Sequence, residues 1–182
     1  MATFYTIGHS NRSIEAFIAL LREAGVEAAI DVRSMPKSRF NPQFNTKALA
    51  DSLRGAGIGY RHMPALGGLR GARKDGLPSP NGFWANEHFR AFADYTATAE
   101  FRQGLDELRA AGRAHRSVIL CAEADWRQCH RQIITDYLLA AGETVIHIVS
   151  EGKLEPAAIA KSAVRGAGGV ITYPADQGSL LL

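Results

Sequence analysis

Apolar residues follow two rhythms along this chain, short continuous runs and stripes three or four residues apart, and the two alternate. Thr3-Phe-Tyr-Thr-Ile7 mixes aromatic and β-branched residues, which predicts a strand ended by Gly8-His9-Ser10. Ile14, Phe17, Ile18 and Leu21 then recur at helical spacing, with Ser13 as N-cap and Gly25 as the stop. A second strand is predicted from Val26 to Val32, closing on Asp31-Val32-Arg33. A helix capped by Asn45 or Thr46 follows, with Leu49 and Leu53 inward, then a third strand from Ile58 to His62. Further on, helices are expected around Glu87–Tyr95 and Ala99–Ala111, the latter stopped by Gly112. Ser117-Val-Ile-Leu120 reads as a buried strand running straight into Cys121. It leads to a helix from Trp126 through Ile133, Ile134, Tyr137 and Leu138, then to a strand at Thr144–Val149. The tail offers a weak helix opened by Pro156 and a short strand at Val170–Tyr173.

Strands alternating with helices predict an α/β fold: a three-layer, Rossmann-like arrangement with a mostly parallel sheet and helices on both faces. No linker or repeat divides the chain, so residues 1–182 are read as a single domain. Composition narrows the class. The chain is 46% hydrophobic, its two cysteines do not form a disulfide framework, and no apolar run approaches a membrane span. A reduced, cytoplasmic protein with no membrane partner is the expectation.

Charge adds an asymmetry. Between Arg33 and Lys74 stand nine basic residues and one acid, Asp51, although the whole chain carries only +3. A basic block on an otherwise acidic chain argues for an anionic partner, either a small molecule or a nucleic acid. The alternative is a solvated face offset by acids that the fold brings near. Two loops fall in this block: Arg33 to Phe44, and the glycine-rich Pro64 to Ala85, whose length points to function or disorder. Leu180-Leu-Leu182 and the strand near Val170 offer a dimer contact, or else they pack on their own domain.

In open parallel sheets ligands bind outside the carboxyl ends of the strands. Those ends carry His9 and Ser10, Asp31 and Arg33, His62, and Cys121 with Glu123, so chemistry is expected there. His9, Ser10, Asp31, Cys121 and Glu123 form the catalytic candidate set, with His9 and Glu123 as acid and base and Cys121 as a possible nucleophile. Asp31 can instead pair with Arg33. Arg33, Lys37, Arg39, Gly67, Gly68, Arg127 and Arg131 are the candidates for holding an anion, the glycines by letting backbone come close.

Cys121 and Arg127 have the C-x5-R spacing of thiol phosphatases and sulfur-transfer enzymes, but the intervening segment lacks glycine and contains Glu123 and Asp125. Arg127 and Arg131 can clamp an anion or pair with those two acids. On a continuous helix Cys129 falls on the core stripe and His130 beside it, both as structural support. Adjacent on a helix they would project about 100° apart, so no metal site is expected, and no cofactor is indicated.

Taken together, Thr6-Ile-Gly-His-Ser10, Asp31-Val-Arg33 with Pro36 and Ser38, Leu66-Gly-Gly68, Cys121-Ala-Glu123, Cys129-His-Arg131 and Val145-Ile-His-Ile148 resemble the family catalogued as domain of unknown function 488. That family usually has proline where this chain has Trp126. The resemblance implies a three-layer α/β domain and brings no established reaction. Two functions are carried forward. One is an enzyme for a phosphate-bearing substrate, a nucleotide or nucleic acid. The other is a non-catalytic nucleic-acid module that stacks bases on Phe40, Phe44, Phe83 and Trp84.

Overall fold

The computed structural model describes residues 1–175. Its main sheet has six strands: β1 (Thr3–Gly8), β2 (Ala28–Asp31), β3 (Gly59–His62), β4 (Ser117–Cys121), β5 (Thr144–Ser150) and β6 (Lys153–Pro156). They lie in the order β3-β2-β4-β1-β5-β6, the first five mutually parallel and β6 antiparallel to β5. The helices are α1 (Ile14–Glu23), α2 (Thr46–Gly55), α3 (Glu87–Tyr95), α4 (Ala99–Ala114) and α5 (Arg131–Ala140). A two-stranded ribbon, β7 (Val164–Arg165) with β8 (Ile171–Thr172), completes the described chain.

The pleat sorts the side chains into two cores. Successive residues of a strand point to opposite faces. Val118 and Leu120 of β4 join Ile7, Phe17, Leu21, Leu49 and Leu53 under α1 and α2. Ile119 and Cys121 join Phe4, Phe92, Phe101, Leu108, Ile133 and Leu138 under α3, α4 and α5. Helices therefore cover both faces of a mostly parallel sheet, a Rossmann-like α/β fold.

Where the expected elements fail, a physical reason is visible. Gly112 does not stop α4, which runs on to Ala114. A Cβ at Gly112 would lie 2.1 Å from Cζ of Phe4, so this glycine lets the helix seat against a core aromatic. Pro156 opens no helix and is instead the last residue of β6. Ala157 N–H continues the pairing by donating to Val145 O, and Ala160 N–H is taken by the Asp136 carboxylate. The strand near Val170 is β8, which pairs on one side with β7 in a two-stranded ribbon. Leu180-Leu-Leu182 lies outside the described residues.

The segment after β4 departs most from expectation. Asp125 accepts a hydrogen bond from Arg127 N–H and opens a single 3-10 turn, Trp126–Gln128. Cys129 then takes an extended conformation (φ −137°, ψ 143°), and α5 begins only at Arg131. A continuous helix from Trp126 does not exist, so the helical stripe assigned to Cys129 and His130 does not apply. No helix among the described residues is long and apolar enough to cross a membrane.

Candidate functional site

A cleft of about 720 Å³ opens over the carboxyl ends of β1, β2 and β4. β4 lies between the other two strands, so its loop divides the floor. On the α1–α2 side stand His9 and Arg33; on the α4–α5 side stand Cys121, Cys129 and His130. Ser10, Asn11, Ser34, Lys37, Ser38, Gly68 and Glu123 also line it. Ser10 has φ +49°, left-handed backbone that a residue with a Cβ seldom adopts.

The His9–Arg33 side is held by a closed network. Asp31 ends β2, and Arg33, two residues on, projects to the same side of the chain. Arg33 Nε donates to Asp31 Oδ1 at 2.9 Å and Nη2 to Oδ2 at 2.6 Å, and Tyr60 hydroxyl donates to Oδ2 at 2.7 Å. Arg33 Nη2 also donates to Phe44 O at 2.8 Å, and Nη1 lies 3.2 Å from His9 Nε2. A guanidinium has five N–H groups, so one on Nη1 remains for a ligand. His9 Nδ1 lies 2.8 Å from Ser10 O, which places the ring proton there and leaves Nε2 to accept from Arg33. Burial, with the neighbouring Arg33 charge, holds the His9 pKa below its ordinary value against the raising effect of the Ser10 carbonyl. The ring is stacked 4.3 Å from Phe44.

The thiol side is arranged differently. His130 Nε2 lies 3.0 Å from both Val32 O and Leu66 O, two acceptors, so Nε2 carries the proton and Nδ1 keeps a lone pair. That lone pair is 3.7 Å from Cys129 Sγ. Arg131, fully buried, donates from Nε to Cys129 Sγ at 3.2 Å and from Nη2 to Glu123 O. Burial opposes ionisation of Cys129. The Cys121 thiol, His130 and the Arg131 charge outweigh it and hold the Cys129 thiol well below the ordinary value. Its partner Cys121 is pushed up by its bond to Cys129 and by burial, and its Sγ lies 3.1 Å from Glu123 Oε2.

Of the candidate set, His9, Ser10, Arg33, Lys37, Gly68, Cys121, Glu123, Cys129 and His130 meet in the cleft. Asp31 does not line it; both its oxygens face Arg33 and Tyr60, and it orients that arginine. Arg131 is likewise an internal brace for Cys129 and the Glu123 backbone. Arg127 lies outside, over the Trp126 ring and near Asp125 and Glu155, so the C-x5-R pair never closes around an anion. Arg39 lies with Lys37 along a neighbouring groove. Gly67 packs on Ser34. Gly68 packs on His130, whose Nδ1 would be 2.5 Å from an added Cβ, so its close approach is to the imidazole.

The basic block is largely neutralised. Arg33, Lys47, Arg54, Arg61, Arg70 and Arg73 have acidic partners, whereas Lys37, Arg39 and Lys74 have none among the described residues. Of the proposed stacking aromatics, Phe44 and Trp84 are buried and only Phe40 and Phe83 are exposed. Asn86, His88 and Phe89 at the start of α3 also reach the cleft, a contribution that no strand-end argument finds.

No curated protein and no solved structure matches the chain. The family described as domain of unknown function DUF488 matches residues 13–138, a span that includes Arg33, Gly68, Cys121, Cys129, His130 and Arg131 but begins after His9. With well over half of its 182 residues matched, the chain belongs to the DUF488 family.

Proposed function

We propose that this protein is an enzyme acting on a small phosphate-bearing molecule of about nucleotide size. The observation that carries this reading is Arg33: it lines the cleft, and four of its five N–H groups are fixed by protein acceptors. A donor held this rigidly loses little freedom when it binds an anion. Lys37, exposed on the same side and without an acidic partner among the described residues, supplies the uncompensated charge. Ser34, Ser38 and Asn41 add neutral donors. Across the floor, Glu123 is the acid–base candidate, since His9 has both ring nitrogens engaged within the protein. The volume suits one small ligand, within the roughly 300–1,000 Å³ usual for such sites.

Calorimetry with AMP, pyrophosphate and adenosine tests the binding. AMP or pyrophosphate is expected to bind the parent and to bind Lys37→Ala more weakly, with adenosine giving no heat. Equal behaviour of AMP and adenosine would overturn the reading. A panel of phosphomonoesters and nucleotides tests the chemistry, and turnover that survives Glu123→Gln unchanged removes Glu123 from it. The nucleic-acid module has less support, because two of its four aromatics are core residues.

A further inference from the structure

We propose that Cys121, Cys129 and His130 form a site for a zinc-class divalent ion, with its remaining coordination position open to the cleft. The proposal goes beyond the phosphate reading and does not depend on it. The two Sγ atoms and one imidazole nitrogen lie within 4.8 Å of one another, and all three residues line the cleft. Zinc binds thiolate at about 2.3 Å and imidazole at about 2.0–2.1 Å, so a tetrahedral S–Zn–N angle separates sulfur from nitrogen by about 3.6 Å. The observed Cys129 Sγ to His130 Nδ1 distance is 3.7 Å.

Distance alone would describe many cysteine–histidine neighbours. The orientation of His130 is the second and stronger observation. Two backbone carbonyls, from Val32 and Leu66, take up Nε2–H and fix the tautomer. This outer bond is the one that metal-binding histidines need, because it aims the other nitrogen's lone pair at the ion. Gly68 is required for that placement, since any side chain there would strike the ring. Cys129 is extended and His130 is the N-cap of α5, so the pair sits at the junction of loop and helix with Sγ and Nδ1 3.7 Å apart. The Arg131 N–H bond to Cys129 Sγ favours thiolate. Two sulfurs and one nitrogen select zinc over magnesium or calcium, and three protein ligands match a site that keeps one position free. Glu123, whose Oε2 lies 3.1 Å from Cys121 Sγ, lines the same cleft.

The full chain, reduced and treated with chelator, is titrated with Co²⁺ and then Zn²⁺. One Co²⁺ per chain is expected, with a thiolate-to-cobalt charge-transfer band and the strong visible bands of a tetrahedral site, both removed by one equivalent of Zn²⁺. Cys129→Ser should weaken the charge-transfer band. Cys121→Ser should reduce it, and His130→Gln should keep it while shifting the visible bands. X-ray absorption on the zinc-loaded parent is expected to show two sulfurs and at least one nitrogen, and it stands even if a variant fails to fold. Absence of stoichiometric cobalt binding overturns the site. So does a spectrum without thiolate bands, a zinc shell of oxygen and nitrogen only, or a reduced chain that forms a Cys121–Cys129 disulfide while ignoring metal. Lys37→Ala should leave the cobalt spectrum intact, so loss of AMP binding and loss of the metal site are read separately.

Discussion

The Asp31 carboxylate grips the Arg33 guanidinium at two points, Nε to Oδ1 at 2.9 Å and Nη2 to Oδ2 at 2.6 Å, with both side chains buried. Removing one member strands the other charge away from water. Asp31→Ala is expected to lose roughly 3–5 kcal/mol of stability, read from urea midpoints. Asp31→Leu with Arg33→Met should recover much of that loss and still abolish AMP binding. A double variant that binds AMP like the parent would show that the pair serves packing alone.

Gly112→Ala tests a sign. In an exposed helix the change would stabilise by up to about 1 kcal/mol. Here the new methyl would meet the Phe4 ring at 2.1 Å, and overpacking of this kind costs roughly 1–3 kcal/mol. A net loss in thermal unfolding is expected, partly relieved by Phe4→Leu.

Gly68→Ala should act on the cleft more than on the core. Its Cβ would lie 2.5 Å from His130 Nδ1, so the imidazole or the Leu66–Gly68 turn must shift. Stability should fall by roughly 1–3 kcal/mol. The His130 ring resonances should move in NMR spectra while those of His147, on the far side of β1, stay in place.

Two buried groups oppose each other in mildly acidic solution. Burial pushes Asp136 up to about 6, against its bonds from Ala160 N–H and the Tyr173 hydroxyl. Its stabilising effect is full below about pH 4 and is lost as pH rises through 6. Burial holds His147 down to about 4, so its effect is full above about pH 6.5 and is lost as pH falls through 4. Each is worth on the order of 2–3 kcal/mol across that window. Relative to the parent, Asp136→Asn should gain stability as pH rises from 4 to 6.5, and His147→Gln should gain as pH falls. Urea midpoints across that range give both slopes.

Strands β1 to β5 were legible because their apolar runs are local, and so were α1 to α3, whose stripes and caps sit within a dozen residues; β6 and β7 carry no such run and were not. The cluster of His9, Arg33, Cys121 and Glu123 at the strand ends followed from the same alternation. What local pattern could not reveal depended on distant partners. Gly112 reads as a stop until Phe4 is known to press on it. His130 is defined by carbonyls 98 and 64 residues earlier. Cys129 keeps helical spacing in the sequence, yet the Asp125 cap diverts the backbone before the helix can begin. Asp31 looks like a catalytic carboxylate until its partners, Arg33 and Tyr60, occupy both oxygens.

The place of β4 between β2 and β1 also constrains when the cleft can come into being. The first three strands and their helices can be synthesised while the slot between β1 and β2 still stands empty, because the strand that fills it begins at Ser117. Until that segment emerges, two open edges flank the gap, and Arg33 and His9 have no shared wall between them. Closing it joins Gly8 to Cys121 and Asp31 to Leu120, pairings far apart in the chain and therefore slow to form. Insertion of β4 and closure of the cleft floor are thus one step, with β5 and β6 still to be added at one edge, and no fragment that ends before Ser117 can set Cys121 between His9 and Arg33.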